Sequence, residues 1–150
     1  MLDYASILTV PDYTLIERLT GVQMSEKERD RYIDFESEQF HWKHQLLGHA
    51  HEVQSSMQLW CVLGLSGLWF SEILQPDRQL TPEGEGLEAK AIDDWRLLLQ
   101  LQSLDTAAIT AQGDLWNVDW GLGGSLYFCI RKGDLAQRNF SDVWLQLQTT

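Results

Sequence analysis

The sequence predicts an α+β domain: a mostly antiparallel β-sheet with a few short flanking helices. Three observations carry that prediction. Trp95 to Ser103 and Asp142 to Gln148 alternate in polarity at the two-residue period of a strand. Ser25 opens a charged segment with Glu28 three residues on, a helix-start signature. The segments are joined by short turns and irregular stretches, not regular crossovers, which favours antiparallel pairing over a doubly wound sheet.

Taken in order, Tyr4 to Val10 is apolar and β-branched, is closed by Pro11, and reads as a strand or extended entry segment. Leu15 to Leu19 fits a short helix or a turn. Glu26 to Phe40 reads as a surface helix whose packed face is Tyr32, Ile33, Phe35 and Phe40. His41 to Met57 reads as a polar loop holding every histidine. Gln58 to Phe70 is apolar and Trp-rich, and Leu59 to Leu65 is expected to join the sheet, with Gly64 and Gly67 marking a hairpin or bulge. Gln75 to Gly86 reads as an exposed connection; alternatively, Pro82 after Thr81 opens a short acidic helix running towards Asp94.

Trp95 to Ser103 is the best strand. Trp95, Leu97, Leu99 and Leu101 fall on one face, and Arg96, Leu98, Gln100 and Gln102 on the other. Asp105 to Asp119 reads as loop, and the Gly121 to Gly124 stretch as a tight turn. Ser125 to Ile130 is a strand. Arg131 to Asn139 holds a short helix capped at Asp134. Asp142 to Gln148 ends the sheet, with Val143, Leu145 and Leu147 set against Trp144, Gln146 and Gln148.

Composition narrows the function classes. The 150 residues read as a single domain, 1–150; 44% are hydrophobic and seven are Trp, enough for a core without staples. Eleven basic residues face twenty-two acidic ones, for a net charge of −11. That balance disfavours nucleic acid, whose phosphates need Lys and Arg to displace counterions, and disfavours anionic membrane surfaces likewise. Cys61 and Cys129 are too few and too far apart for a secreted disulfide framework. With no basic leader and no apolar run near the roughly 20 residues that span a bilayer, a cytoplasmic location is expected.

Candidate sites follow from side-chain chemistry. His41, His44, His49 and His51 invite a metal reading, since imidazole is a common ligand. No cysteine lies nearby and Gly48 favours a loop, so the preferred reading is a polar loop with one structural histidine, and no cofactor is expected. The carboxylates from Glu26 to Glu38 alternate with Lys27, Arg29 and Arg31 and read as a solvated helix face. Glu83, Glu85 and Glu88, with Asp93 and Asp94, have Lys90 as their nearby cation and form the better docking surface. Trp116, Asp119 and Trp120 are candidates for lining a groove, because Trp dominates binding hot spots. The glycines after Trp120 precede a strand, whereas a phosphate-cradling loop precedes a helix. Both cysteines sit in apolar surroundings where thiols are inert, and no G-x-S-x-G elbow occurs.

The run DWRLLLQL at 94–101, then WG at 120–121 and GSLYF at 124–128, resembles the YwqG-like bacterial family, a group of unknown function. Ile130-Arg131-Lys132, Asp134-Leu135, Phe140 and VWLQLQ at 143–148 resemble that family's ending, and HQLLG at 44–48 with Gln54 and MQL at 57–59 an earlier motif. The resemblance implies an α+β, mostly antiparallel fold, and a chain like the C-terminal portion of longer members or like a short member. Leu122, Gln102 and Leu104 stand where the family carries acids, and His49 and Ala50 where it carries Tyr-Pro. The expected function is therefore a non-catalytic domain whose acidic surface binds another protein, in its sharper form an immunity or inhibitor role against a basic partner. The alternative is a small-molecule or metal-dependent enzyme using the His41–His51 and Trp116–Trp120 loops. Tyr4 to Val10 is suited to seal a sheet edge, either within its own chain, leaving a monomer, or across a two-fold axis in a homodimer, which is the favoured reading.

Overall fold

A computed structural model describes residues 6, 9–39, 44–76, 79–103, 119–121 and 123–149. Its elements are α1 (Tyr13–Thr20), α2 (Glu26–Gln39), β1 (His44–Leu46), α3 (Met57–Ser66), a 3-10 turn (Phe70–Glu72) and α4 (Pro82–Asp94). They continue with β2 (Trp95–Gln102), β3 (Ser125–Arg131), α5 (Lys132–Gln137) and β4 (Trp144–Gln148). The four strands form one sheet in the order β1-β2-β3-β4, every neighbouring pair antiparallel. This is the α+β class that the alternating patterns predicted. Most of Tyr4 to Val10, and the loop from residue 104 to 118, lie outside the described residues.

The helix starts are local chemistry. Asp12 accepts the Leu15 N–H at 3.0 Å to begin α1, and Gly21, at φ 70°, ends it in the left-handed region. In α2 the Glu28 carboxylate reaches back to the Ser25 N–H at 2.8 Å, as the Ser25/Glu28 spacing predicted. Thr81 accepts the Gly84 N–H at 3.1 Å with Pro82 in the first turn, so the acidic-helix alternative for this stretch is the one realised. Asp134 does not cap α5; Arg131 occupies the cap position, and Asp134 accepts from Asn139 Nδ2 at 3.1 Å beyond the helix end.

The expectation that Leu59 to Leu65 joins the sheet is wrong. These residues lie in α3, a helix apolar on all sides, whose sequence carries no 3.6-residue periodicity to reveal it. Ser56 accepts the Leu59 N–H at 3.3 Å to start it, and Gly67, at φ 67°, is its C-cap rather than a hairpin residue. Helix α3 is buried on two sides. Met57 and Cys61, one turn apart, pack with Trp95, Leu97, Tyr127 and Cys129 of the sheet. Leu59 and Leu63 pack the other way, with Ile73, Phe70, Leu80 and Leu87. The sheet's fourth strand is instead β1, inside the stretch read as a polar loop.

A bulge corrects the face assignment of β2. Leu97 pairs with Cys129 and Leu99 with Phe128, so Leu98 is extra and the inward face passes from Trp95 and Leu97 to Gln100 and Gln102. On β4 the semi-polar row faces inward: Trp144, Gln146 and Gln148 stand beside Cys129, Tyr127 and Ser125. Leu145 and Leu147 are exposed on the outer face, as is Leu46 of β1.

Candidate functional site

The residues singled out from sequence are dispersed. Glu83 and Glu85 are exposed on the first turn of α4, whereas Glu88 turns inward and pairs with Arg18 of α1. Asp119 accepts the Gly121 N–H at 2.9 Å, and the Trp120 N–H reaches the Ser103 hydroxyl at 2.9 Å, so both are fixed at the end of the β2–β3 connection. Trp116 and His41 lie outside the described residues. His44 is exposed on β1, while His49 and His51 are half-buried in the stretch that follows. Among the described residues, no group of three or more His, Cys, Asp or Glu side chains is placed to hold a metal ion.

What the fold does assemble is residues 49–56, laid over the inner face of the sheet. Inward glutamines grip this segment by its backbone. Gln100 accepts the His51 N–H at 2.9 Å and donates to the His51 carbonyl at 3.1 Å. Gln148 accepts the N–H groups of Val53 and Gln54, both at 3.0 Å, and donates to the Ser55 carbonyl at 2.9 Å. Gln45 donates to the His49 carbonyl, and the Tyr127 hydroxyl to that of His51 at 2.7 Å. Buried peptide groups outside regular structure need such partners, so a semi-polar strand face buries better here than an apolar one. Gln102 Nε2 lies 2.9 Å from His51 Nδ1, and burial holds that imidazole below its ordinary range.

The outer side of this segment forms one wall of a cleft of about 910 Å³, closed by α1, α2, the start of α3, Phe70 and α4. Asp12, Glu36, Glu52 and Glu88 line it; among the described lining residues Arg18 is the one Arg or Lys. Glu52 accepts the Met57 N–H at 2.8 Å at the head of α3. Burial pushes its carboxyl up to about 7, with the Asp12 and Glu36 charges adding to the effect and Arg18 opposing it. Glu36 is also raised, by burial and then by Asp12. The Trp60 and Phe70 rings, with centroids 5.0 Å apart, line the same cleft, and Trp60 Nε1 is fixed by the Ser55 hydroxyl at 2.8 Å. The cleft serines are committed to structure: Ser55 to Trp60, and Ser56 to Leu59 N–H and Gln58.

Cys61 and Cys129 are free and fully buried. The Cys129 thiol and burial together push Cys61 far above the ordinary thiol range, so its thiolate, the nucleophilic form, is suppressed. Sequence reasoning missed Asp12, Arg18, Glu36, Glu52 and Trp60 as one site. The Pro11-Asp12 helix start was the available signal for Asp12; nothing local marks Glu36 and Glu52 as neighbours.

A family model described as "Domain of unknown function (DUF1963)" matches residues 2–149, including the N-terminal region where the motifs are thin. No curated protein and no solved structure matches the chain. Among the described residues, no helix is long and apolar enough to cross a membrane.

Proposed function

The chain belongs to the DUF1963 family, a domain of unknown function, and from that premise we propose a non-catalytic domain that binds a basic protein through its acidic surface. The observation that carries this reading is the cleft, where, among the described residues, Asp12, Glu36, Glu52 and Glu88 face one Arg, Arg18. A net charge of −11 supports it by steering a basic partner towards that face. Serines held in structural bonds and a Cys61 thiol pushed towards its neutral form leave the described residues without an activated Ser or Cys nucleophile, which also favours binding over turnover. Within the family we place the chain among YwqG-like bacterial members, on the motifs from Trp95 to Gln148. Its two free buried thiols suit the reducing cytoplasm. An immunity or inhibitor role against a basic toxin is the sharper form of the proposal.

Affinity capture from the host's extract at about 50 and 500 mM salt tests it, because attraction between exposed charges is screened at the higher value. The expected result is one basic protein, identified by mass spectrometry, retained at low salt, lost at high salt, and bound again when purified. Binding that ignores salt, or no retained protein, overturns the proposal. Glu52, with its carboxyl near 7 in a cleft, favours one rival: an enzyme using it as a general acid or base. That rival predicts turnover of a small molecule, abolished in Glu52→Gln.

A further inference from the structure

Among the described residues, the charges lining the cleft do not balance. Glu88, buried on α4, takes Arg18 as its partner. Asp12 spends an oxygen on the Leu15 N–H, and Glu52 spends one on the Met57 N–H. Glu36, on α2, has no hydrogen bond or ion pair among the described residues. Among the described residues, three carboxylates from three different segments, Asp12, Glu36 and Glu52, are thus left facing the cleft without a cation of their own. The Asp12 and Glu36 charges disfavour ionised Glu52, and the Asp12 charge disfavours ionised Glu36, since like charges repel strongly where water is partly excluded.

The lining also carries apolar chemistry. Trp60 and Phe70 line the cleft as an aromatic pair, together with Leu59, Leu74 and Leu80. Aromatic and aliphatic side chains sharing a cleft with carboxylates match a long side chain with an apolar stem and a cationic head. Of the two natural candidates, arginine fits better. Its planar fork takes carboxylates at two points, stacks on aromatic faces and is more weakly hydrated than an ammonium.

Resting on the binding-domain reading above, we infer that this cleft receives an arginine side chain of the protein partner, with its guanidinium among Asp12, Glu36 and Glu52 and its stem against Trp60 and Phe70.

The test uses the full chain and three small probes: N-acetyl-arginine amide, its lysine analogue and the uncharged citrulline analogue. Binding is followed by NMR at the Trp60 indole N–H, assigned by substitution, which registers even millimolar affinity. The arginine probe is expected to shift that resonance saturably and to bind at least about ten-fold tighter than citrulline, the scale of a charge-assisted bidentate contact. Glu36→Gln and Glu52→Gln are each expected to weaken it about five-fold or more, while Glu26→Gln, on the exposed first turn of α2, leaves it unchanged. Equal binding of arginine and citrulline overturns the inference, as does indifference to both cleft substitutions or no shift at all. Glu36 lies on a helix surface, so its variant keeps the test valid should Glu52→Gln perturb folding. A basic protein captured equally by wild type and Glu36→Gln overturns the arginine inference alone. Arginine-probe binding with no captured partner supports the cleft's specificity and overturns the protein-binding reading.

Discussion

Glu52 shows how one buried carboxyl sets a pH dependence. Its carboxyl titrates near 7 in the folded chain, against an ordinary value of 4.5. Between those values the folded state holds more protons than the unfolded state, so stability falls as pH rises through this window. Glu52→Gln keeps an acceptor for the Met57 N–H and removes the buried charge. It is expected to raise stability at about pH 8.5 by up to about 3 kcal/mol, and to leave stability at about pH 4 nearly unchanged. Urea unfolding of both proteins at the two pH values measures this, and parallel pH profiles would refute it. Gln148 makes the complementary case. Replacing it with Leu adds apolar bulk yet strips partners from the Val53 and Gln54 N–H groups and the Ser55 carbonyl. A loss of about 2–4 kcal/mol is expected by the same measurement, because unsatisfied buried groups outweigh the gain in apolarity.

Helix α3 decides whether the layers pack, and one glycine sets how close it comes. A Cβ at Gly64 would lie 2.5 Å from Trp144 Cζ2, so Gly64→Ala forces the indole or the helix aside. Despite the better helix propensity of Ala, a net loss of about 1–3 kcal/mol is expected, recovered in large part by adding Trp144→Leu. A chemical-denaturation double-mutant cycle checks it. The same helix marks where the sequence was and was not legible. Ser25 with Glu28 and the alternation in β4 gave their elements away, and Thr81 with Pro82 offered its helix as an alternative, since caps and half-buried strands carry local signatures. Met57 to Ser66 did not, because a helix buried on two sides is apolar nearly all round and its period disappears. The β2 faces failed for a related reason. Leu97, Leu98 and Leu99 are alike, so a bulge among them leaves no trace in polarity. The cleft was least legible of all, since it joins Asp12, Glu36, Glu52 and Glu88 from four segments and no spacing encodes that meeting.

For the whole molecule, a charge of −11 repels itself, and the compact state bears that repulsion more than the open chain. Raising salt from about 20 to 300 mM is expected to raise Tm by a few degrees; a Tm that is flat or falls would show the repulsion to be unimportant. Leu46, Leu145 and Leu147 stand exposed on the outer sheet face, and we expect association there, giving a sedimentation mass above the 17.3 kDa of one chain at micromolar concentration. Leu145→Glu should return it to 17.3 kDa. The glutamine grip on residues 49–56 has a different kind of consequence. Gln100 and Gln148 hold N–H and C=O groups, which every residue except proline provides alike. That grip is indifferent to which side chain stands at 53, which lines the cleft, whereas the side chains of Gln54 and Ser55 are tied to Thr149 and Trp60. At 53, scaffold and lining are separable, like a clamp holding an interchangeable template: the cleft's chemistry can be rewritten there without redesigning the sheet that carries it.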